Sequence, residues 1–184
     1  MKPAALESDY PVARALLIAA IIVFAGIIRI VPHPWNLAPI GAMALFSGAV
    51  IRNRLLALVL PLLAMLAGDA FIGFHILMPV VYASFLISIL IGFRLREHRT
   101  LAWVGGAVFA GAVQFFLVTN LGVWAFLHSY PKTFAGLAAC YAEGLPYFWN
   151  TLAGDAFFSV LFFAALFLAE HGYRRATTRI AESH

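Results

Sequence analysis

The chain has 184 residues, of which 64% are hydrophobic and 11% charged, and a formal net charge of +4. Soluble domains carry roughly 25% charged residues, so a mean hydropathy of +0.94 excludes a water-soluble globule and makes lipid the solvent for much of the surface. The basic balance does not mark a nucleic-acid partner, because the Lys and Arg residues sit at the ends of apolar runs and form no phosphate-binding stripe.

Backbone groups in a bilayer must be satisfied internally, which leaves helices or a closed barrel. The apolar runs lack the alternation of barrel strands. The expectation is an all-α, polytopic bundle of six transmembrane helices forming one domain over residues 1–184. In chain order, Met1 to Tyr10 is polar and acidic, and Arg14 opens an apolar run that ends at Arg29, Pro32 and His33. It lacks a small-x-small cleavage pattern and reads as a retained first span over 13–31. The second, 37–51, is short and interrupted by Pro39, Gly41 and Gly48. Spans follow at 55–74, 77–94 and 100–119, and the last at 147–170. Residues 120–146 read as a long connection whose Phe126, Leu127, Phe134 and Leu137 would pack on the bundle as a lid.

With the N-terminus in the cytoplasm, the inner side holds Lys2, Arg14, Arg52, Arg54, Arg94, Arg96, Arg99, Arg174, Arg175 and Arg179, and the outer side only Arg29 and Lys132. This positive-inside bias supports both termini inside, a multi-pass protein of a cell inner membrane, and a real second span. Leu66-Ala-Gly-Asp69-Ala-Phe71 recurs as Leu152-Ala-Gly-Asp155-Ala-Phe157. Two explanations stand: an inverted repeat of three-helix halves, or chance recurrence of small apolar residues.

Asp69 and Asp155 are the carboxylates placed inside spans. Ionisable groups at depth cost ~2.5–3.5 kcal/mol on insertion scales and mark functional candidates. A structural or pocket-lining role is favoured over proton or cation coupling, since both lie toward the outer face. That face also gathers His33, Trp35, Asn36, His75, Tyr82, Gln114, Asn120, Trp124, His128, Tyr130, Tyr141, Glu143, Tyr147, Trp149 and Asn150. An aromatic belt explains part of the set. Its one-sidedness suits a pocket for a flat, partly apolar solute, with Asn36, His75, Tyr82, Asn120, Trp124, Tyr141 and Asn150 as its lining.

His33, His75, His128 and Cys140 have no zinc-like spacing, so no metal site and no cofactor is expected, although one of them could serve as a single axial ligand to a metal-containing cofactor. No Gly-x-Ser-x-Gly elbow or Cys–base pair points to an enzyme. Ala15-x-x-x-Ala19 and Gly106-x-x-x-Ala110 allow close helix approach, the first as a docking surface for another subunit.

The stretches Pro32 to Gly48, Gly68-Asp69 with Gly73-Phe-His75, Tyr82 to Phe85, Thr119 to Trp124, Cys140-Tyr141 and Asn150 to Asp155 resemble a family of small bacterial membrane transport proteins. That family is similar in turn to the substrate-binding S-components of energy-coupling-factor (ECF) transporters. The resemblance implies a six-helix S-component fold, a pocket near the outer surface for a vitamin-like solute such as a cobalamin, and Ala15 and Ala19 as contacts for a transmembrane coupling subunit working with ATPases. The chain has no nucleotide-binding loop of its own. Capture of a small vitamin-like solute is therefore the first expectation. An ion- or proton-coupled secondary transporter using Asp69 and Asp155 is the second, and a non-transporting scaffold subunit the third.

Overall fold

The structure, a computed structural model, describes residues 4–32, 34 and 36–182. His33 and Trp35, expected in the outer polar set, lie outside the described residues. The chain forms α1 (Ala4–Ile30), α2 (Ile40–Val50), α3 (Arg54–Ile72), α4 (Met78–Arg94), α5 (Leu101–Phe126) and α6 (Phe134–Glu182). The result is an all-α, six-helix bundle. Local chemistry sets several of the ends. Asn53 accepts from Leu56 N at 3.1 Å and Thr100 from Trp103 N at 3.4 Å, each satisfying an orphan amide at a helix start. Gly73, at φ 110°, takes the left-handed turn that ends α3.

Among the described residues four helices are long and apolar enough to cross a membrane: residues 11–30 of α1, all of α3 and α5, and residues 134–176 of α6. Their outward faces expose Leu16, Phe24, Leu63, Phe109, Val160 and Phe167. Contiguous apolar exposure on this scale is untenable in water and ordinary against lipid. This is the architecture of a polytopic membrane protein. α2, at 11 residues, reaches only about 16 Å at 1.5 Å per residue, half of a hydrocarbon core of ~30 Å. α4, at 17 residues, reaches about 26 Å.

The core is built around α2, and Ile40 and Ala42 through Val50 are all buried. Phe46 meets Phe162 and Phe163 of α6 at ring-centroid distances of 5.8 and 5.3 Å. On the other side α2 touches α4 through backbone. A Cβ on Gly48 would strike the carbonyl of Ile89, and one on Gly92 the carbonyl of Leu45. Gly92→Ala is accordingly expected to cost about 1–3 kcal/mol by overpacking, read as a fall in melting temperature in detergent. A stability unchanged from wild type would show that the two backbones do not approach as described.

Both ends of α2 are held by charged side chains, from α1, from α6 and from the connection between α4 and α5. The last carbonyls of a helix lack partners within it. Here Arg96 Nε donates to Gly48 O and its Nη2 to Ile51 O, each at 2.8 Å. Arg99 Nη2 donates to Ala49 O at 2.8 Å, and Arg14 Nη2 to Val50 O at 3.4 Å while its Nε pairs with Glu170 at 2.9 Å. At the start of α2, Pro39 makes no side-chain cap. The cap arrives instead from α6, where Asp155 Oδ1 accepts from Ala42 N at 2.9 Å. Negative charge at the N-terminus and positive charge at the C-terminus both favour the helix dipole.

The expected long connection over 120–146 is not a loop. α5 runs on to Phe126 and α6 starts at Phe134, leaving 127–133 as the turn. The segment after Phe134 is rich in Ala and Leu, which favour helix. Pro146 lies inside α6, as prolines do in membrane helices when neighbours re-satisfy the freed groups. The turn closes on itself: Trp124 Nε1 donates to Pro131 O at 3.0 Å, and Lys132 Nζ donates to Leu127 O at 2.6 Å and to the carbonyl of Trp124. Arg29, placed on the outer side at the end of the first span, lies in the last turn of α1 and pairs with a carboxylate on α3.

Candidate functional site

The end of the bundle opposite the arginines contains a hollow of about 580 Å³ between α4, α5, α6 and the segment before α2. α5 and α6 form its aromatic wall, with Phe116 and Phe148 rings 5.4 Å apart. Polar groups on the wall come from Asn36, His75, Thr119, Asn120, Tyr130 and Glu143. Tyr130 donates its hydroxyl to Glu143 Oε2 at 2.6 Å, and this bond, more than desolvation, pushes its phenol up to about 12. Tyr130 therefore stays a neutral donor across the ordinary pH range.

A smaller chamber of about 80 Å³ lies deeper. It shares Asn36, Val81, Phe115 and Thr151 with the hollow, so the two spaces adjoin. Its wall includes Asp155, Arg29, Ser88 and the tilted ring pair Phe85–Phe115, 5.2 Å apart. The polar residues between α4 and α5 are tied together by Gln114. Its amide donates to Ser88 Oγ at 2.8 Å and Ser84 O at 3.0 Å, and accepts from Ser84 Oγ at 3.0 Å.

The two intramembrane carboxylates have different surroundings. Asp69, 1% exposed, forms an ion pair with Arg29 Nη2 and accepts from Tyr82 OH at 2.8 Å through its other oxygen. It is neutralised in place. Asp155, 3% exposed, is met by the backbone amides of Ala42 and Gly41. Among the described residues no ion pair reaches it. Gly41 is required there, because a Cβ would fall on the carboxylate itself.

The residues expected to line a pocket divide in position. Asn36, His75 and Asn120 line the hollow. Tyr82 turns to Asp69, and Trp124 is held in the α5–α6 turn. Tyr141 donates to Leu117 O at 2.8 Å on the seam between α5 and α6, and the half-buried Asn150 lines neither space. Ala15 and Ala19 are exposed on the outer side of α1. Cys140 is buried with its thiol 3.4 Å from Asn120 O. Among the described residues no three His, Cys, Asp or Glu side chains gather to hold a metal ion.

Sequence reasoning missed Arg29, Ser88 and Thr151. Arg29 had a readable signal: one of two cations assigned to the outer side, and at the end of a span, it is a natural partner for a carboxylate placed inside the spans toward that side. Ser88 and Thr151 had none, since hydroxyls on apolar helices ordinarily bond the preceding turn, as Thr151 does with Tyr147 O at 2.9 Å.

Comparison with curated proteins and with solved structures returned no match. A family profile matches residues 10–178, nearly the whole described chain. The chain belongs to DUF6580, a family of unknown function.

Proposed function

We propose that this protein is a proton- or cation-coupled membrane transporter, with the hollow as its entry path and Asp155 as the coupling group. The reading rests on Asp155 above all. It is a buried carboxylate in the wall of a chamber adjoining an open hollow, and among the described residues only backbone amides meet it. An ionised group in such a place is costly unless something neutralises it. A proton or cation arriving through the hollow does so, and its departure restores the charge. Asp69 is not given that part, because Arg29 and Tyr82 already occupy its oxygens. By the positive-inside rule the arginine-rich end faces the cytoplasm and the hollow opens on the outer side of a bacterial inner membrane, with α2 completing six passages as a half-helix packed in the bundle. The solute crosses without covalent change.

The test is purified protein in liposomes containing a pH-sensitive dye, under an imposed proton gradient. Asp155→Asn is expected to lower proton flux by about tenfold or more, the effect of removing one titrating group worth at least ~1.4 kcal/mol. Asp155→Asn flux equal to wild type, in folded protein, rejects the proposal.

Solute capture in the manner of an ECF S-component is the second reading. What favours it is the size of the hollow, about 580 Å³, within the range of ordinary ligand pockets, ~300–1,000 Å³. Exposed Ala15 and Ala19 would then meet a coupling subunit. A vitamin retained through purification, and uptake that needs partner ATPases, would favour it over coupling through Asp155.

A further inference from the structure

The charges along the path decide what class of solute fits it. Among the described residues lining the hollow, Glu143 is the one carboxylate, and no Lys or Arg stands with it. The chamber adds Arg29 and Asp155. Arg29 is paired with Asp69, so those two cancel. What remains from mouth to floor is negative: Glu143, then Asp155, offset in part by the N-terminal dipole of α2. An anionic solute would meet this balance unfavourably at both ends.

The acceptors in the chamber are also specific. A carboxylate offers about four lone-pair sites, and the amides of Ala42 and Gly41 occupy only part of that capacity at Asp155. Thr151 Oγ1 donates its hydrogen to Tyr147 O and keeps its lone pairs. Ser88 Oγ accepts once, from Gln114, and keeps a second lone pair. Asp155, Ser88 and Thr151 thus supply three acceptors around one small space, and a primary ammonium has three N–H donors. Phe85 and Phe115 stand in the same wall, and aromatic faces attract cations. The wider hollow above is walled by Phe116, Phe148 and Tyr147. It suits an apolar or flat aromatic body attached to that head.

We infer that the solute class of this transporter is a primary ammonium compound with an aromatic or apolar body, its ammonium at Asp155, Ser88 and Thr151 and its body in the hollow. The inference rests on the hollow and Asp155 serving as proposed above. The probe is 2-phenylethylamine, with 2-phenylethanol as the neutral counterpart and 3-phenylpropanoate as the anionic one. Binding is measured by equilibrium dialysis against protein in nanodiscs of zwitterionic lipid, with empty nanodiscs subtracted.

The ammonium is expected to bind about tenfold or more tighter than the alcohol, the margin of a charge-assisted over a neutral hydrogen bond, and the carboxylate to bind worst. Asp155→Asn should erase the preference. Thr151→Val, which leaves the α2 cap untouched, should weaken the ammonium several-fold and the alcohol little. Equal binding of ammonium and alcohol, or no binding of either, overturns the inference. So does a preference that survives Asp155→Asn. The failures separate: Asp155-dependent proton flux without ammonium preference removes the solute class and leaves the coupling. Ammonium preference with Asp155-independent flux removes the coupling and leaves the binding site.

Discussion

Replacing Arg29 with Met is expected to destabilise the protein by about 3–5 kcal/mol, the usual cost of stripping one partner from a buried ion pair. The reason lies in what remains. Asp69 is 1% exposed, and with Arg29 gone its charge faces, among the described residues, only the hydroxyl of Tyr82. Gly68 packs against the stem of Arg29, where a Cβ would come within 3.1 Å of Cδ, so the site cannot simply collapse around a carboxylate. The double variant Arg29→Met/Asp69→Asn should regain much of the loss, because no unpaired charge is left behind. A double-mutant cycle, followed by tryptophan fluorescence during SDS unfolding from mixed micelles, isolates the coupling between the two residues. Single-site costs below about 1 kcal/mol that simply add would mean the pair is exchanging with water and is not sealed between α1 and α3.

Arg96→Met is expected to cost about 2–4 kcal/mol, since it leaves two helix-terminal carbonyls without a donor and hydrogen bonds to charged groups are worth ~1.5–3 kcal/mol each. Gly48 O, in a helix whose residues from Ala42 to Val50 are all buried, and Ile51 O, at the residue just after it, lose their partners at 2.8 Å. Water has poor access to repair the loss. Arg96→Lys should recover part of it, as an ammonium can reach one carbonyl but cannot fork across two. The accompanying signature is faster hydrogen exchange at the C-terminal turn of α2, including the Ile51 amide that now bonds Ser47 O at 3.0 Å. Wild-type exchange in that turn would show that Arg99 and Arg14 suffice without Arg96.

Much of the architecture is legible in the order of apolar runs and charges. Long hydrophobic stretches without alternation leave only helices in lipid, and the boundaries of α3 and α4 follow from Asn53, Gly73 and Arg94. The turn at 127–133 was harder to read. Gly144 and Pro146 look like breakers, yet both lie within α6, because helix continuity in a bilayer is decided by the lack of any other partner for the backbone. Asn36 and His75 lie in connections at one end of the bundle and Asn120 near the same end of α5, so position in the chain alone brings them to the hollow. Tyr82, Trp124 and Tyr141 have the same composition but direct their donors to Asp69, Pro131 and Leu117. The least legible contact was the most informative one. Asp155 bonds the amide of Ala42, and a backbone amide has no signature in a sequence.

The way α2 is held also bears on how the chain is made. At 11 residues it is too short to be installed across a bilayer by itself. Apart from Arg14, the groups that clamp its two ends are synthesised later: Arg96 comes 48 residues after Gly48, and Asp155 comes 113 residues after Ala42. A nascent chain must therefore carry this segment in a provisional position until the final helix has emerged and turned back. Maturation ends with that helix setting a carboxylate against the waiting amide, so the residue proposed to pass cations is also the one whose arrival completes biogenesis.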